Sequence, residues 1–175
     1  MKVDKNFWSE PDSWFSAVIL NEQRKQAYAR VKNNLALIQS LPDAETGIHY
    51  QDILEVSGPC GEQLYRDDLI SEYKSIKIHQ PSDNLTFKFQ AIISNSSEYF
   101  DLKDWFTKYN QVGELVFKGK YEKEEWLNCY CSAKSVSQVE QILSDFKSWT
   151  TGNLFERLIG DKKSNFRFKE IKVCK

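Results

Sequence analysis

From residue 85 onward, Leu85, Phe87, Phe89, Ala91 and Ile93 alternate with Thr86, Lys88, Gln90, Ile92 and Ser94. A period of two marks a strand with one buried face. After the polar Asn95-Ser96-Ser97 turn the period changes: Leu102, Trp105, Phe106 and Tyr109 recur at three and four residues, the stripe of a short amphipathic helix over 101–109. Leu115 and Phe117, then Trp126 to Ser132, return to alternation and predict a hairpin across the polar stretch between them. Ser135-Val136-Ser137-Gln138 has the form of a capping box, and Val136, Val139, Ile142, Leu143, Phe146 and Trp149 carry a second helix to the Thr150-Thr151-Gly152 stop. Phe166 and Phe168 alternate with Arg167 and Lys169 in a fourth strand over 165–173. Strand, helix, strand, strand, helix, strand is the order of the ferredoxin-like (βαββαβ) pattern, an antiparallel sheet with both helices on one face.

The first 84 residues give a different picture. Ala27, Tyr28, Val31, Leu35 and Ile38 share one side of a helix that Asn21 would cap and Pro42 would end. Phe15, Val18 and Ile19 suit either a strand or the first turns of that helix. Tyr65, Leu69 and Tyr73 stripe a second helix over 62–73, and 75–79 forms a short strand before Pro81. The predicted class is therefore α+β: a mainly helical region, 1–84, that does not stand alone and packs against a ferredoxin-like domain, 85–175.

At 175 residues, 41% apolar and 14% aromatic, the chain has enough material for a real core. A formal charge of -1 excludes the strong field of a dedicated duplex binder. The charge is uneven, however: residues 1–84 hold 9 basic and 13 acidic side chains, and 85–175 hold 15 and 12. Acidic and basic residues break every N-terminal apolar window, and no run of about 18 apolar residues occurs, so export and membrane insertion are not expected. The four cysteines show no stapling pattern, which predicts reduced thiols in a cytoplasm.

The stretch Glu124 to Ser132, EEWLNCYCS, interleaves two aromatics with two cysteines. In a strand, Leu127, Cys129 and Cys131 face one way and Trp126, Asn128, Tyr130 and Ser132 the other. The cysteines then read as small buried hydrophobes of low reactivity. A metal site needs further ligands, and only Cys60, Cys174, His49 and His79 remain, without ligand spacing, so no metal and no cofactor is expected. The opposite face would gather Trp126 and Tyr130 with Lys88, Lys118, Arg167 and Lys169, rings for stacking among cations for phosphates. Strand three lacks the glycine and aromatic signature of the RNA-recognition motif. The helix over 21–41 would also cover this face and turn its rings into core.

Other candidates carry less. Ser57-Gly58-Pro59-Cys60-Gly61 precedes the helix expected at 62, but it lacks the Lys-Ser/Thr that a phosphate loop requires and reads as a structural turn. Cys60 is the thiol expected to be exposed. His49 and His79 fall at surface or strand-end positions. Asp67-Asp68 and Glu122, Glu124 and Glu125 read as solvated carboxylates. No catalytic constellation is legible. The chain is therefore read as a non-enzymatic interaction protein, an inhibitor, immunity-type protein or adaptor that binds a protein partner. Single-stranded nucleic-acid binding on the aromatic and basic face is the alternative.

Overall fold

Lys32-Asn33-Asn34-Leu35 decides the architecture of the first unit. Asn33 and Asn34 both adopt positive φ, 51° and 60°, and Lys32 pairs directly with Leu35. Two central residues in the left-handed region make the tight hairpin turn whose twist suits the flanking strands, and asparagine tolerates it. A computed structural model describes residues 3, 5–8, 14–93, 96–109, 111, 113–116, 126–152 and 166–174. The chain divides into two units, Met1–Asn84 and Leu85–Cys174.

In the first unit, strands β1 (Trp14–Ile19), β2 (Gln26–Lys32), β3 (Leu35–Ile38), β4 (Ile53–Tyr65) and β5 (Asp68–Gln80) close into a barrel in chain order. Neighbours are antiparallel, so with five strands the closing pair, β1 with β5, has to be parallel, and it is. Barrel diameter grows with strand number, and five strands leave a narrow interior. It is filled by small and medium side chains: Val18, Ala27, Ala29, Val31, Ala36, Ile38, Leu54 and Val56. Beyond the barrel β4 and β5 continue as a two-stranded arm to a tip at Arg66-Asp67, with Arg66 at φ 55°. Between Ser57 and Gly61 the register slips. There Gly61 lies so close to β5 that a Cβ would come within 2.8 Å of the Glu72 carboxylate.

Three expectations are corrected here. Residues 21–41 are not a helix. Asn21 takes the Lys25 amide on its side chain and the Arg24 amide on its carbonyl, closing the β1–β2 turn. Of the residues read as a helical stripe, Ala27, Val31 and Ile38 belong to the barrel core, while Tyr28 and Leu35 fall on the opposite, outer side of their strands. Residues 62–73 are not a helix either but the two sides of the arm, so no helix start follows Ser57 to Gly61. The class is corrected with them. Among the described residues the chain is mostly β, 50% strand and 23% helix with two helices, and the predicted class, α+β with a mainly helical region over 1–84 packed against a ferredoxin-like domain over 85–175, does not describe it.

The second unit holds β6 (Leu85–Ile92), α1 (Ser96–Lys108), β7 (Gly113–Val116), β8 (Leu127–Ala133), α2 (Val136–Gly152) and β9 (Arg167–Val173). The strands form an antiparallel sheet in the order β7-β8-β6-β9. Phe87, Phe89 and Ala91 of β6 and Cys129, Cys131 and Ala133 of β8 make one buried cluster with Leu102 and Phe106 of α1, with Val139, Ile142, Leu143 and Phe146 of α2, and with Phe166. Each large side chain removed from water contributes about 1.5 to 3 kcal/mol. At the start of α2 the Ser135 hydroxyl accepts the Gln138 amide at 3.2 Å, while the Gln138 side chain reaches back to the Lys134 amide at 2.7 Å. Two amide hydrogens at the helix entrance are thereby satisfied.

Candidate functional site

The face of the second sheet opposite the Phe and Cys cluster is set by register. Lys88 lies between Tyr130 of β8 and Lys172 of β9; Gln90 lies between Asn128 and Lys169; Ile92 pairs with Arg167, and Trp126 immediately precedes β8. Cross-strand partners have Cβ atoms about 4.5 to 5.5 Å apart. Trp126, Tyr130, Lys88, Arg167 and Lys169 therefore share one face of three adjacent strands. Arg167, Lys169 and Lys172 are exposed, and Trp126, Tyr130, Lys88 and Gln90 are half-buried. Lys118 lies outside the described residues, so its place on this face is not described.

Lys172 joins the face because β9 is bulged. Lys88 and Gln90 are two residues apart, but their partners Lys172 and Lys169 are three apart, and Glu170 between them has φ 57°. The extra residue shifts the phase, so Ile171 packs against the core while Lys172 comes to the polar face. Unbroken alternation from Phe166 and Phe168 would have sent Lys172 the other way, which is why a strand pattern alone misses it. A Lys-Glu-Ile-Lys run that would point isoleucine to solvent is the one signal of the bulge in the sequence.

Electrostatics differ between the two faces. On the helix side, burial pushes the Cys129 and Cys131 thiols well above their ordinary range, so they stay protonated and unreactive. Partial burial also raises the Cys174 thiol, against the pull of the Lys88 cation. On the polar side the Lys169 ammonium sits over the Trp126 ring, 3.8 Å from its centroid. Glu170 approaches Lys172 at 3.6 Å, both well exposed, a pairing that water screens. Toward one end the face is closed: Thr86 and Ser132 are buried, and Ser132 bonds Gln111 at 3.3 Å. Asn128 is buried beside Gln90, and its Oδ1 has no hydrogen-bond partner.

The barrel carries a second aromatic surface that sequence reading does not assemble. Phe15 of β1 and Tyr28 of β2 are stacked with centroids 5.5 Å apart, and Tyr65, from the end of β4, lies 5.0 and 4.5 Å from them. Arg66 lies over the Tyr65 ring at 5.4 Å. On the arm, Leu64 and Leu69 are direct partners and stand 72% and 65% exposed. A cleft of about 470 Å³ beside the β1–β2 turn includes Arg24, Lys74 and Glu22 in its lining, but Arg24 is already paired with Glu72 at 3.2 Å.

The remaining candidates separate in space. Cys60 is exposed and donates from its thiol to the Glu72 carbonyl. His79 Nδ1 and Lys77 both meet Glu55, which holds the Glu55 carboxyl below its usual range, the His79 hydrogen bond being the largest cause. His49 belongs to a loop bonded to Asp52, whose buried carboxylate takes the amides of His49 and Ser82 at 2.7 Å each. Among the described residues no group of three or more His, Cys, Asp or Glu is placed to hold a metal ion. Nor is any described helix long and apolar enough to cross a membrane.

No family model matches the chain, and no curated protein matches it. Among solved structures it is similar to a hypothetical protein from Neisseria gonorrhoeae, at 13% identity over 90% of this chain and 93% of that one, with a TM-score of 0.32. A likeness of that strength carries no argument about fold or function.

Proposed function

We propose that the protein is a binding module whose second sheet holds single-stranded nucleic acid on its polar face. The observation that carries this reading is the clustering of Lys88, Arg167, Lys169 and Lys172 with Trp126 and Tyr130 on three adjacent strands. Rings offer bases a stacking surface whatever their sequence, while ammonium and guanidinium groups take the phosphates. The helix expected to cover these rings is absent, since residues 21–41 are barrel strands. Four unpaired thiols, two of them buried among apolar side chains, support a reducing, cytoplasmic setting.

A titration of a labelled 12-nucleotide single strand, followed by anisotropy at several salt concentrations, tests this reading. Four phosphate contacts give a slope of log affinity against log salt of about -3. Trp126→Ala is expected to weaken binding by roughly 1 to 3 kcal/mol if a base stacks there. Substituting Leu64 and Leu69 by serine is expected to leave the affinity unchanged. Absence of binding at low salt rejects the reading.

A second reading, a protein partner held by the barrel, is favoured by a specific feature. Leu64 and Leu69 are exposed on the β4–β5 arm, and Ile76 on the barrel part of β5, in the same unit as the Phe15, Tyr28 and Tyr65 cluster. Aromatic and arginine side chains beside exposed apolar area are the composition of protein interfaces. An inhibitor, immunity-type or adaptor role fits that surface.

A further inference from the structure

We infer that Lys169 competes with the ligand for Trp126, so that binding requires this lysine to exchange an aromatic ring for a phosphate; the inference rests on the nucleic-acid reading above. Lys169 rises from β9 and Trp126 from the residue before β8, on opposite sides of β6. Two strand spacings, about 10 Å, separate their backbones. The ammonium nevertheless sits 3.8 Å from the Trp126 ring centroid. The Lys169 side chain therefore lies across the face of β6, over the stretch between Gln90 and Ile92, and occupies a side of the ring on which a base would stack. In the free protein this side chain acts as a strap over the platform. Released by an incoming strand, it becomes one of the cations that hold the backbone.

The exchange sets two terms of opposite sign against each other. Removing the Lys169 charge frees the ring, which helps stacking, and deletes one phosphate contact, which harms binding most at low salt. An exposed cation–π contact is worth about 0.5 to 1 kcal/mol, equivalent to an affinity gain of about two- to five-fold when it need not be broken. Lys169→Gln is thus expected to bind a 12-nucleotide single strand more weakly than wild type at low salt and about two- to five-fold more tightly at high salt. Its salt slope should be shallower by about 0.7. Lys169→Arg, which keeps both the charge and the stacking, is expected to follow wild type. An uncharged peptide-backbone oligonucleotide should bind Lys169→Gln more tightly at every salt concentration.

A second readout is independent of affinity. The Lys169 side-chain methylene protons are expected to resonate upfield in the free protein through the ring current of Trp126, and to move back when the oligonucleotide saturates the site. If wild type binds the strand but the two salt lines stay parallel, or the upfield shift persists in the complex, the competition is overturned while the nucleic-acid reading stands. If wild type binds no strand at low salt, both fall together.

Discussion

The two units bury their cores with different amino acids. The barrel interior is built from Ala27, Ala29, Ala36, Val18, Val31, Val56, Ile38 and Leu54, without a buried phenylalanine among them. The layer between the second sheet and its helices is built around Phe87, Phe89, Phe106, Phe146 and Phe166. Geometry accounts for the difference. A five-stranded barrel closes on itself and leaves room for little more than a methyl or isobutyl group at each level. A sheet and helices facing one another leave a gap that rings are needed to fill at crystalline density. Core composition therefore reports the shape of the space being filled as much as the hydrophobicity available.

Two substitutions probe that difference, the larger effect first. Phe146 is fully buried and touches Trp105, Trp149 and Phe166, with ring centroids 4.8 to 5.9 Å away. Phe146→Ala is expected to cost about 3 to 5 kcal/mol through the cavity it leaves. Urea denaturation measures the loss, and faster hydrogen exchange in β6 and β8 locates it. In the barrel the sensitive direction is the opposite one. Ala29 is fully buried, and Ala29→Leu is expected to cost about 1 to 3 kcal/mol by overpacking. A neutral outcome for that substitution would show that the barrel has spare room and would break the comparison.

A smaller effect sharpens the comparison at the level of local structure. Asn34 has φ 60° in the β2–β3 turn, where a β-branched side chain is strained. Asn34→Val is expected to destabilise by about 1 to 2 kcal/mol, read from the thermal or urea midpoint. In the helix that the 21–41 stripe suggests, the same change would cost a few tenths at most.

That stripe also shows why the units were unequally legible. In β6 the alternating residues are phenylalanines separated by Thr86, Lys88 and Gln90, and no helical spacing fits them. In β2 and β3 the buried residues include three alanines, strong helix formers, and Ala27, Val31, Leu35 and Ile38 fall at spacings of four, four and three by coincidence of strand and turn lengths. The Asn33-Asn34 pair was the discriminating signal, and it outweighs propensity because it sets two backbone angles at once. Tyr65, Leu69 and Tyr73 mislead in the same way across the Arg66-Asp67 tip. The polar face was legible as far as a period of two holds: Trp126, Tyr130, Lys88, Arg167 and Lys169 follow from phase alone, and Lys172 is lost at the bulge. The barrel trio was not legible, because Phe15, Tyr28 and Tyr65 lie on separate strands and meet only when the long arm turns back toward β1 and β2.

The two aromatic surfaces complete the contrast. Phe15, Tyr28 and Tyr65 contact one another, whereas Trp126 has the Lys169 ammonium over its ring. The most direct test of the nucleic-acid assignment is to map backbone amide shifts while adding the 12-nucleotide single strand at low salt. Shifts gathered on Lys88, Gln90, Tyr130 and the run from Arg167 to Lys172 are the expected result. No shifts, or shifts confined to the barrel arm around Leu64 and Leu69, would contradict the account.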